Sequence, residues 1–413
     1  MAKNPFQLDN EPKAAMREAP APGAVSLALA GYRPEVAPGD AVLAGQLVAR
    51  AENPMRGDLH SPVRGTVREI HGLTEFRLII DADSSAPADH AAPADSSAPD
   101  EAADPAIPPA ELSTLSGEEL RRALAGLGID ARPLGRARTL IINAMPPEPG
   151  ILVNGQLLKE HRAVVALGLE TAKRAVSSGQ VVLAGIGVDA SALGSCAVKH
   201  LPAVYPAGLA PLVIKAVTGN EDPAGCTVLS VLELYLLGLV AETGRPVTRT
   251  VLTVDGVNVL APVGMPVGPL LEQAGLAPRE RDRVVMGGPL RGVALSALDE
   301  GIAKDALCLS LIPAEAFPPV ADTPCINCGE CVLRCPSRVL PNLISRAAEF
   351  RFWDRAEGYG ALECMECGLC GYFCPGRRPL LQYIRLAKSE LALLAKELPM
   401  QPADTTAAEE ASK

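Results

Sequence analysis

Aromatic residues are scarce: one Trp, six Tyr and six Phe make up 3% of the 413 residues. With hydrophobic residues still at 48%, the cores must be closed by Val, Leu, Ile and Ala. Positive charge is also short, at 38 Lys and Arg against 48 Asp and Glu, and no basic block occurs. A net charge of −10 argues against a nucleic-acid partner, because phosphate contacts need a basic face. Long apolar runs are missing too. The most apolar stretch, Val228 to Val240, is broken by Glu233 and falls short of the roughly 20 residues of a membrane span, so a buried helix is expected there. Met1 to Asn10 is polar and gives no signal-peptide pattern. The expectation is a protein without a transmembrane helix, attached to a membrane only through a partner.

Cysteine is what the sequence has in one place. Of 11 cysteines, eight lie between positions 325 and 374. They form Cys325-Ile-Asn-Cys328-Gly-Glu-Cys331-Val-Leu-Arg-Cys335-Pro336 and Cys364-Met-Glu-Cys367-Gly-Leu-Cys370-Gly-Tyr-Phe-Cys374-Pro375. Each copy is Cys-x2-Cys-x2-Cys-x3-Cys-Pro, the spacing of a two-[4Fe–4S] ferredoxin, whose fourth cysteine ligates the other cluster. The expected ligand sets are Cys325, Cys328, Cys331 and Cys374 for one cluster, and Cys364, Cys367, Cys370 and Cys335 for the second. Zinc ribbons separate paired cysteines by longer gaps, and no Cys-x2-Cys-His for haem attachment occurs. Clustered thiolates also point to a reducing compartment, the cytoplasm. Cys196, Cys226 and Cys308 are scattered among apolar neighbours and read as structural.

The rest of the chain divides by pattern. Residues 23–81 carry short Val/Leu pairs separated by glycine turns, as in a small all-β unit. This unit resembles the barrel-sandwich domains that carry biotin or lipoate. No lysine occurs between Lys13 and Lys159, and the tip reads Asn53-Pro-Met-Arg56, so it reads as an unmodified scaffold. Residues 82–115 begin with an Ala/Pro/Asp/Ser tract and read as a disordered linker. Ser116-Gly-Glu-Glu119 offers a capping box for a helix through Leu124. Residues 116–246 then alternate strand and helix: Thr139–Ile142, a helix from Ala163 to Val176, and Val181–Ala184. Such alternation predicts a Rossmann-like parallel α/β sheet. Gly185-Ile-Gly187 lacks the full glycine fingerprint of a nucleotide loop and reads as an ordinary turn. Residues 247–304 suggest a β-grasp-like unit with a turn at Asp255-Gly256, a helix around Leu270 to Ala274, and Met286-Gly-Gly-Pro289 serving backbone geometry. Residues 305–398 hold the ferredoxin-like helical segment and end in an amphipathic helix with Leu380, Tyr383, Ile384, Ala387, Leu391 and Leu394 on one face. Residues 399–413 read as a disordered tail. The expected fold class is multidomain α/β plus β.

This order of units resembles the C subunit of the Rnf ion-translocating electron-transport complex, over roughly residues 23 to 390 without the linker. Beyond the cysteines, the resemblance rests on Leu140-Ile-Ile-Asn143, Glu148-Pro149, Tyr205-Pro206, Ala216-Val-Thr-Gly219, Met286-Gly-Gly-Pro289 and Gln382-Tyr-Ile-Arg-Leu-Ala-Lys388. It implies a peripheral subunit on the cytoplasmic face of the membrane, with an α/β domain like that of the flavin subunit of respiratory complex I and a β-grasp domain of the SLBB type. It implies as partners the membrane-embedded and peripheral subunits of the same complex, and a donor or acceptor such as a ferredoxin or cytochrome. The family's glycine-rich Gly-Leu-Gly-Gly-Ala-Gly-Phe-Pro-Thr loop is replaced here by Leu127-Gly-Ile-Asp-Ala-Arg-Pro-Leu-Gly135, with Asp130 and Pro133 where backbone donors would face a phosphate. Its Glu-Cys-Glu-Pro is reduced to Pro146-Pro147-Glu148-Pro149, and Tyr205-Pro-Ala-Gly-Leu-Ala-Pro211 lacks the family's lysine. A degenerate nucleotide pocket near Asn143, Glu148 and Tyr205 is therefore expected, without FMN or NADH. The leading expectation is an electron-relay subunit with no self-contained catalytic site. The alternatives are an NADH-oxidising entry subunit with an intact site, and a soluble iron–sulfur adaptor feeding a cytoplasmic reductase.

Overall fold

A computed structural model describes residues 5–12, 14–71, 76–83, 106–189, 193–194, 196–220, 225–317, 319–321 and 323–397. Most of the expected linker, 84–105, and the expected tail, 399–413, lie outside the described residues. The chain forms two compact units, Met1–Phe317 and Pro318–Lys413.

The first unit begins with two small antiparallel sheets. One runs in the order Ala24–Ala28, Arg77–Ala82, Gly65–His71, Ala41–Val42; the other joins Tyr32–Pro34, Leu47–Ala51 and Leu59–His60. Val25, Leu27, Val48, Val67, Leu78 and Ile80 fill the space between them with fully buried aliphatic side chains, as the shortage of aromatics demands. At the tip, the Asn53 side chain accepts from Met55 N at 3.0 Å, and Arg56 lies over the Tyr32 ring and donates to the Ala30 carbonyl at 2.8 Å. The tip is thus tied down by its own side chains.

A four-stranded parallel sheet follows, in the order Ala197–His200, Gln180–Gly185, Thr139–Asn143, Cys226–Ser230. The helices Arg162–Val176 and Val231–Thr243 cross at two glycines. A Cβ at Gly168 would lie 1.8 Å from the Leu234 carbonyl oxygen, and one at Gly238 would lie 2.0 Å from that of Val164. Backbone meets backbone there, which only glycine permits. The apolar run expected as one helix from Val228 is in fact strand to Ser230 and helix from Val231. Glu233, which interrupts that run, closes a capping box: Ser230 Oγ accepts from Glu233 N at 3.2 Å, and the Glu233 carboxylate accepts from Ser230 N at 2.6 Å. The box expected at Ser116 does not form. Its helix, Gly117–Gly126, has Ser116 at the N-cap without a side-chain bond, and Gly117 turns left-handed at φ 55°. Within the stretch read as linker, the strand ends at Ala82 and Pro109–Thr114 forms a short helix with proline at its first turn.

The third part of this unit is a six-stranded sheet in the order Arg17–Glu18, Val257–Pro262, Arg249–Val254, Cys308–Ile312, Arg283–Met286, Val293–Ala294, packed with the helix Val267–Gln273. Asp255 and Gly256, both at positive φ, make the expected hairpin turn. The sheet draws Arg17–Glu18 from the start of the chain and Cys308–Ile312 from beyond residue 304. Strands this short, drawn from distant parts of the chain, leave little periodicity to read from sequence.

The second unit is helical. Pro341–Glu349, Trp353–Gly358 and Leu380–Glu397 pack on a core of Ile344, Ala348, Ala356, Ile384 and Ala387, which also takes in Cys331, Cys364 and Cys370. Leu380, Ile384, Ala387 and Leu391 are buried and Leu394 is exposed, so the expected apolar face is core for all but its last turn. No described helix is long and apolar enough to cross a membrane. The whole is a mixed α/β multidomain fold.

Candidate metal centre

The two cysteine motifs, offset by 39 residues from Cys325 to Cys364, repeat in backbone as well as in sequence. Asn327 and Glu366 both sit at φ 55°, and Gly329 and Gly368 sit at φ 79° and 75°. Each glycine then caps a one-turn helix, Glu330–Leu333 or Leu369–Tyr372. The left-handed residues fold each loop back on its first cysteine. Asn327 N donates to Cys325 Sγ, and Glu366 N to Cys364 Sγ, each at 3.4 Å. N–H···S bonds of this kind offset charge on a thiolate and help set a cluster's potential.

Cys325, Cys328, Cys331 and Cys374 line one cavity, together with Gly329, Asn342, Gly376 and Arg378. Three come from the first motif and the fourth from the second. On the other side, Cys335 lies close enough to Cys364 and Cys367 to push their thiols upward, though burial is the larger cause; Cys367 reaches about 11. Burial and the thiols of Cys367 and Cys364 likewise raise Cys370. In the first set, Cys331 is raised by burial and by Cys325, Cys328 and Cys374. Thiols held this way bind metal by releasing protons. Among the described residues no three Cys, His, Asp or Glu side chains converge on a point for a single ion. Thiols arranged around a cavity suit a cubane, in which each iron takes one protein thiolate, and soft sulfur donors suit iron–sulfur clusters. The residues present fit the group.

The surroundings of the two sets differ. The second is bordered by Glu366, which accepts from Lys388 at 2.7 Å and Arg385 at 2.8 Å, while Lys388 also donates to the Cys364 carbonyl at 2.8 Å. At the first, Arg378 is 3% exposed, donates to Glu349 at 2.8 Å and to the Thr323 carbonyl, and lies over the Tyr383 ring. Sequence reading passed over Arg378, because an arginine pair after a Cys-Pro-Gly carries no pattern that singles out one of the two.

Of the remaining cysteines, Cys308 is buried in the core and pushed up to about 11 by burial, and Cys196 and Cys226 are half-buried.

The residues expected at a degenerate nucleotide pocket each hold hydrogen bonds to other parts of the fold. Asn143 Nδ2 donates to the Gly208 carbonyl at 2.9 Å, and its Oδ1 accepts from Met145 N at 3.1 Å. Glu148, 3% exposed, accepts from Leu290 N at 2.8 Å and Arg291 N at 3.3 Å. Tyr205 is 3% exposed, and its N–H donates to the Phe6 carbonyl at 2.8 Å. A separate cavity of about 520 Å³ lies against the Gly128–Leu134 loop, with Tyr32, Arg56, Glu233 and Lys304 in its wall; Asn143, Glu148 and Tyr205 do not line it. Arg132 pairs with Asp130 there at 2.8 Å. The Lys304 amine donates to the carbonyls of Gly128 at 3.0 Å, Gly57 at 3.4 Å and Asp58, and burial pushes it down to about 7. This cavity was not legible in the sequence, since its walls come from segments far apart in the chain.

The family model for the 4Fe-4S dicluster domain matches residues 319–375. The C subunit of the ion-translocating oxidoreductase complex of Pseudomonas aeruginosa is 31% identical over 401 residues, covering 87% of this chain and 50% of the relative. The protein of the same name from Edwardsiella ictaluri is 31% identical over 290 residues, 63% of this chain and 36% of the relative. The chain thus spans half or less of the length of these relatives. Among solved structures, an NAD+-reducing [NiFe]-hydrogenase in the H2-reduced state matches with a TM-score of 0.43 and 14% identity, over 70% of this chain and 66% of that one. The eight-cysteine segment is therefore a 4Fe-4S dicluster domain, carried by a chain homologous along 87% of its length to the C subunit of an ion-translocating oxidoreductase complex.

Proposed function

We propose that this chain relays electrons through two [4Fe–4S] clusters as a peripheral subunit of an Rnf-type ion-translocating membrane oxidoreductase, bound at the cytoplasmic face. The observation that carries the reading is the duplicated eight-cysteine segment with its first thiol set arranged around one cavity. The ligands are Cys325, Cys328, Cys331 and Cys374 for the first cluster and Cys364, Cys367, Cys370 and Cys335 for the second. The cavity lining supports the crossing of Cys374, and the effect of Cys335 on Cys364 and Cys367 supports its counterpart. When bound, the clusters supply one-electron transfer without bond chemistry in the protein. The chain's own residues hold the thiols, shield them and set their electrostatic surroundings. The partners are the other subunits of the complex and an electron-donor or acceptor protein such as a ferredoxin or cytochrome.

The finer reading of the first unit follows the same line: an unmodified barrel-sandwich domain, a complex-I-flavin-subunit-like α/β domain and an SLBB-like β-grasp domain. Its nucleotide site is degenerate, because Asn143 and Glu148 spend their hydrogen bonds inside the fold. Anaerobic reconstitution followed by iron analysis tests the central claim, with about eight irons per chain expected. A preparation that holds four irons or none overturns it. Coexpression with the membrane subunits tests the peripheral placement: the chain should sediment with membranes only when they are present.

A further inference from the structure

The 39-residue repeat supplies an internal comparison. Counting back 39 positions from Arg378 gives Val339, just as Cys374 gives Cys335 and Arg377 gives Arg338. Arg377 and Arg338 share the same left-handed backbone, at φ 52° and 57°, so the alignment holds through this turn. Val339 is 5% exposed and Arg378 3% exposed. The two halves therefore place an aliphatic side chain and a guanidinium at equivalent buried positions, and Arg378 lines the cavity of Cys325, Cys328, Cys331 and Cys374.

We propose that Arg378 raises the reduction potential of the cluster held by the first thiol set. The inference rests on the dicluster reading. One-electron reduction adds a negative charge to a centre already made negative by four thiolates, and a fixed cation nearby favours the added charge. Arginine stays protonated, so the effect persists across the pH range in which the protein is handled. Glu349 pairs with Arg378, but the two are unequally screened: the side chain of Arg378 is 2% exposed and that of Glu349 is 34% exposed. Solvent weakens the field of the carboxylate more than that of the guanidinium, leaving a net positive field in the cavity. The cations at the second set, Lys388 and Arg385, share the carboxylate of Glu366 and are 26% and 31% exposed, so both are less enclosed than Arg378.

The test is an EPR-monitored titration of the reconstituted full chain against a dithionite-set potential, with the signal missing in Cys325→Ala marking the first cluster. In Arg378→Gln the equilibrium constant for reducing the first cluster should fall about tenfold, which is about 59 mV for one electron, while the second cluster stays in place. Glu349→Gln should shift the first cluster in the opposite direction. Arg378→Lys, which restores the charge, should recover most of the loss. Should Arg378→Gln fail to hold the first cluster, Glu349→Gln still decides. Two intact clusters with an unmoved first potential in Glu349→Gln, or in Arg378→Gln, overturn the proposal. A wild-type chain that binds no iron overturns the dicluster reading instead.

Discussion

Glu148 stands at the end of a run after the Thr139–Asn143 strand, yet its carboxylate satisfies backbone N–H groups of Leu290 and Arg291, more than 140 residues away in the chain. Gly288 makes this possible, since a Cβ there would lie 2.2 Å from the Glu148 carboxyl carbon. Removing the carboxylate leaves two donors without it in an enclosed site. Glu148→Ala should lower stability by about 1–3 kcal/mol, with Glu148→Gln nearer wild type, as read from urea midpoints of the full chain. Gly288→Ala should be at least as damaging. The role of Met286-Gly-Gly-Pro289 as backbone geometry was legible in sequence, because paired glycines announce a tight approach. What they approach was not legible, because nothing local to Glu148 points to a partner so distant in the chain.

His60 makes a second case at this scale, with a pH signature. Burial, more than the nearby Lys304, pushes its imidazole down to about 4 from the ordinary 6.5. Between these values the unfolded chain binds a proton that the folded chain refuses, so stability rises with pH across that window. On acidification the contribution is lost as pH falls from about 6.5 to about 4, by roughly 3 kcal/mol at most. His60→Gln should flatten the dependence of the urea midpoint between pH 6.5 and pH 4. A variant with the same slope as wild type would show that His60 does not govern it.

At the scale of elements, the crossing of Arg162–Val176 with Val231–Thr243 depends on Gly168 and Gly238 facing carbonyl oxygens. A methyl group cannot be accommodated by a rotamer change when the obstacle is backbone. Gly168→Ala should therefore push the helices apart and destabilise by about 1–3 kcal/mol or more, with faster hydrogen exchange in both helices. A stable variant with unchanged exchange would refute the crossing. The parallel sheet and its helices were readable from alternating patterns, because buried strands and amphipathic helices leave different periods. The helix start at Val231 was not, since strand and helix are both buried and the run Val228 to Val240 has no polar face. The signal was there in Glu233, three residues after Ser230, but a capping box reads the same at Ser116, where none forms. The Ser–Glu spacing is the same at both, but Ser116 is followed by Gly117 in a left-handed turn, whereas Ser230 is followed by the fully buried Val231.

Across the whole molecule, the dicluster domain at residues 319–375 was legible in the sequence, because cluster chemistry dictates cysteine spacing. The nucleotide question was only half legible. Loss of glycines from the Leu127–Gly135 loop was visible in the sequence, whereas the internal bonds of Asn143 and Glu148 and the cavity beside the loop come from long-range packing. With those side chains engaged and Arg132 paired to Asp130, a pyrophosphate finds no glycine-rich turn in that loop and its one arginine already committed. Calorimetric titration of the two-cluster protein with NADH and with FMN should show no saturable heat in the low-micromolar range. Saturable binding of either would restore the reading as an NADH-oxidising subunit.

The crossing proposed for the ligands links the two halves of the dicluster domain, and it makes a prediction that neither half makes alone. If Cys374 completes the first set and Cys335 the second, a substitution in one motif damages the cluster bound mainly by the other. Cys374→Ala should abolish or convert the EPR signal that also depends on Cys325, leaving the signal that depends on Cys364. Cys335→Ala should do the reverse. Each motif's first three cysteines sit on one loop and the one-turn helix it opens, shaped by left-handed residues at 327 and 329 or at 366 and 368, so three ligands remain and partial iron content is expected. The fourth cysteine follows the one-turn helix, which carries it away from its own loop. Losses that follow the motif in which the substitution was made would mean that each motif holds its own cluster.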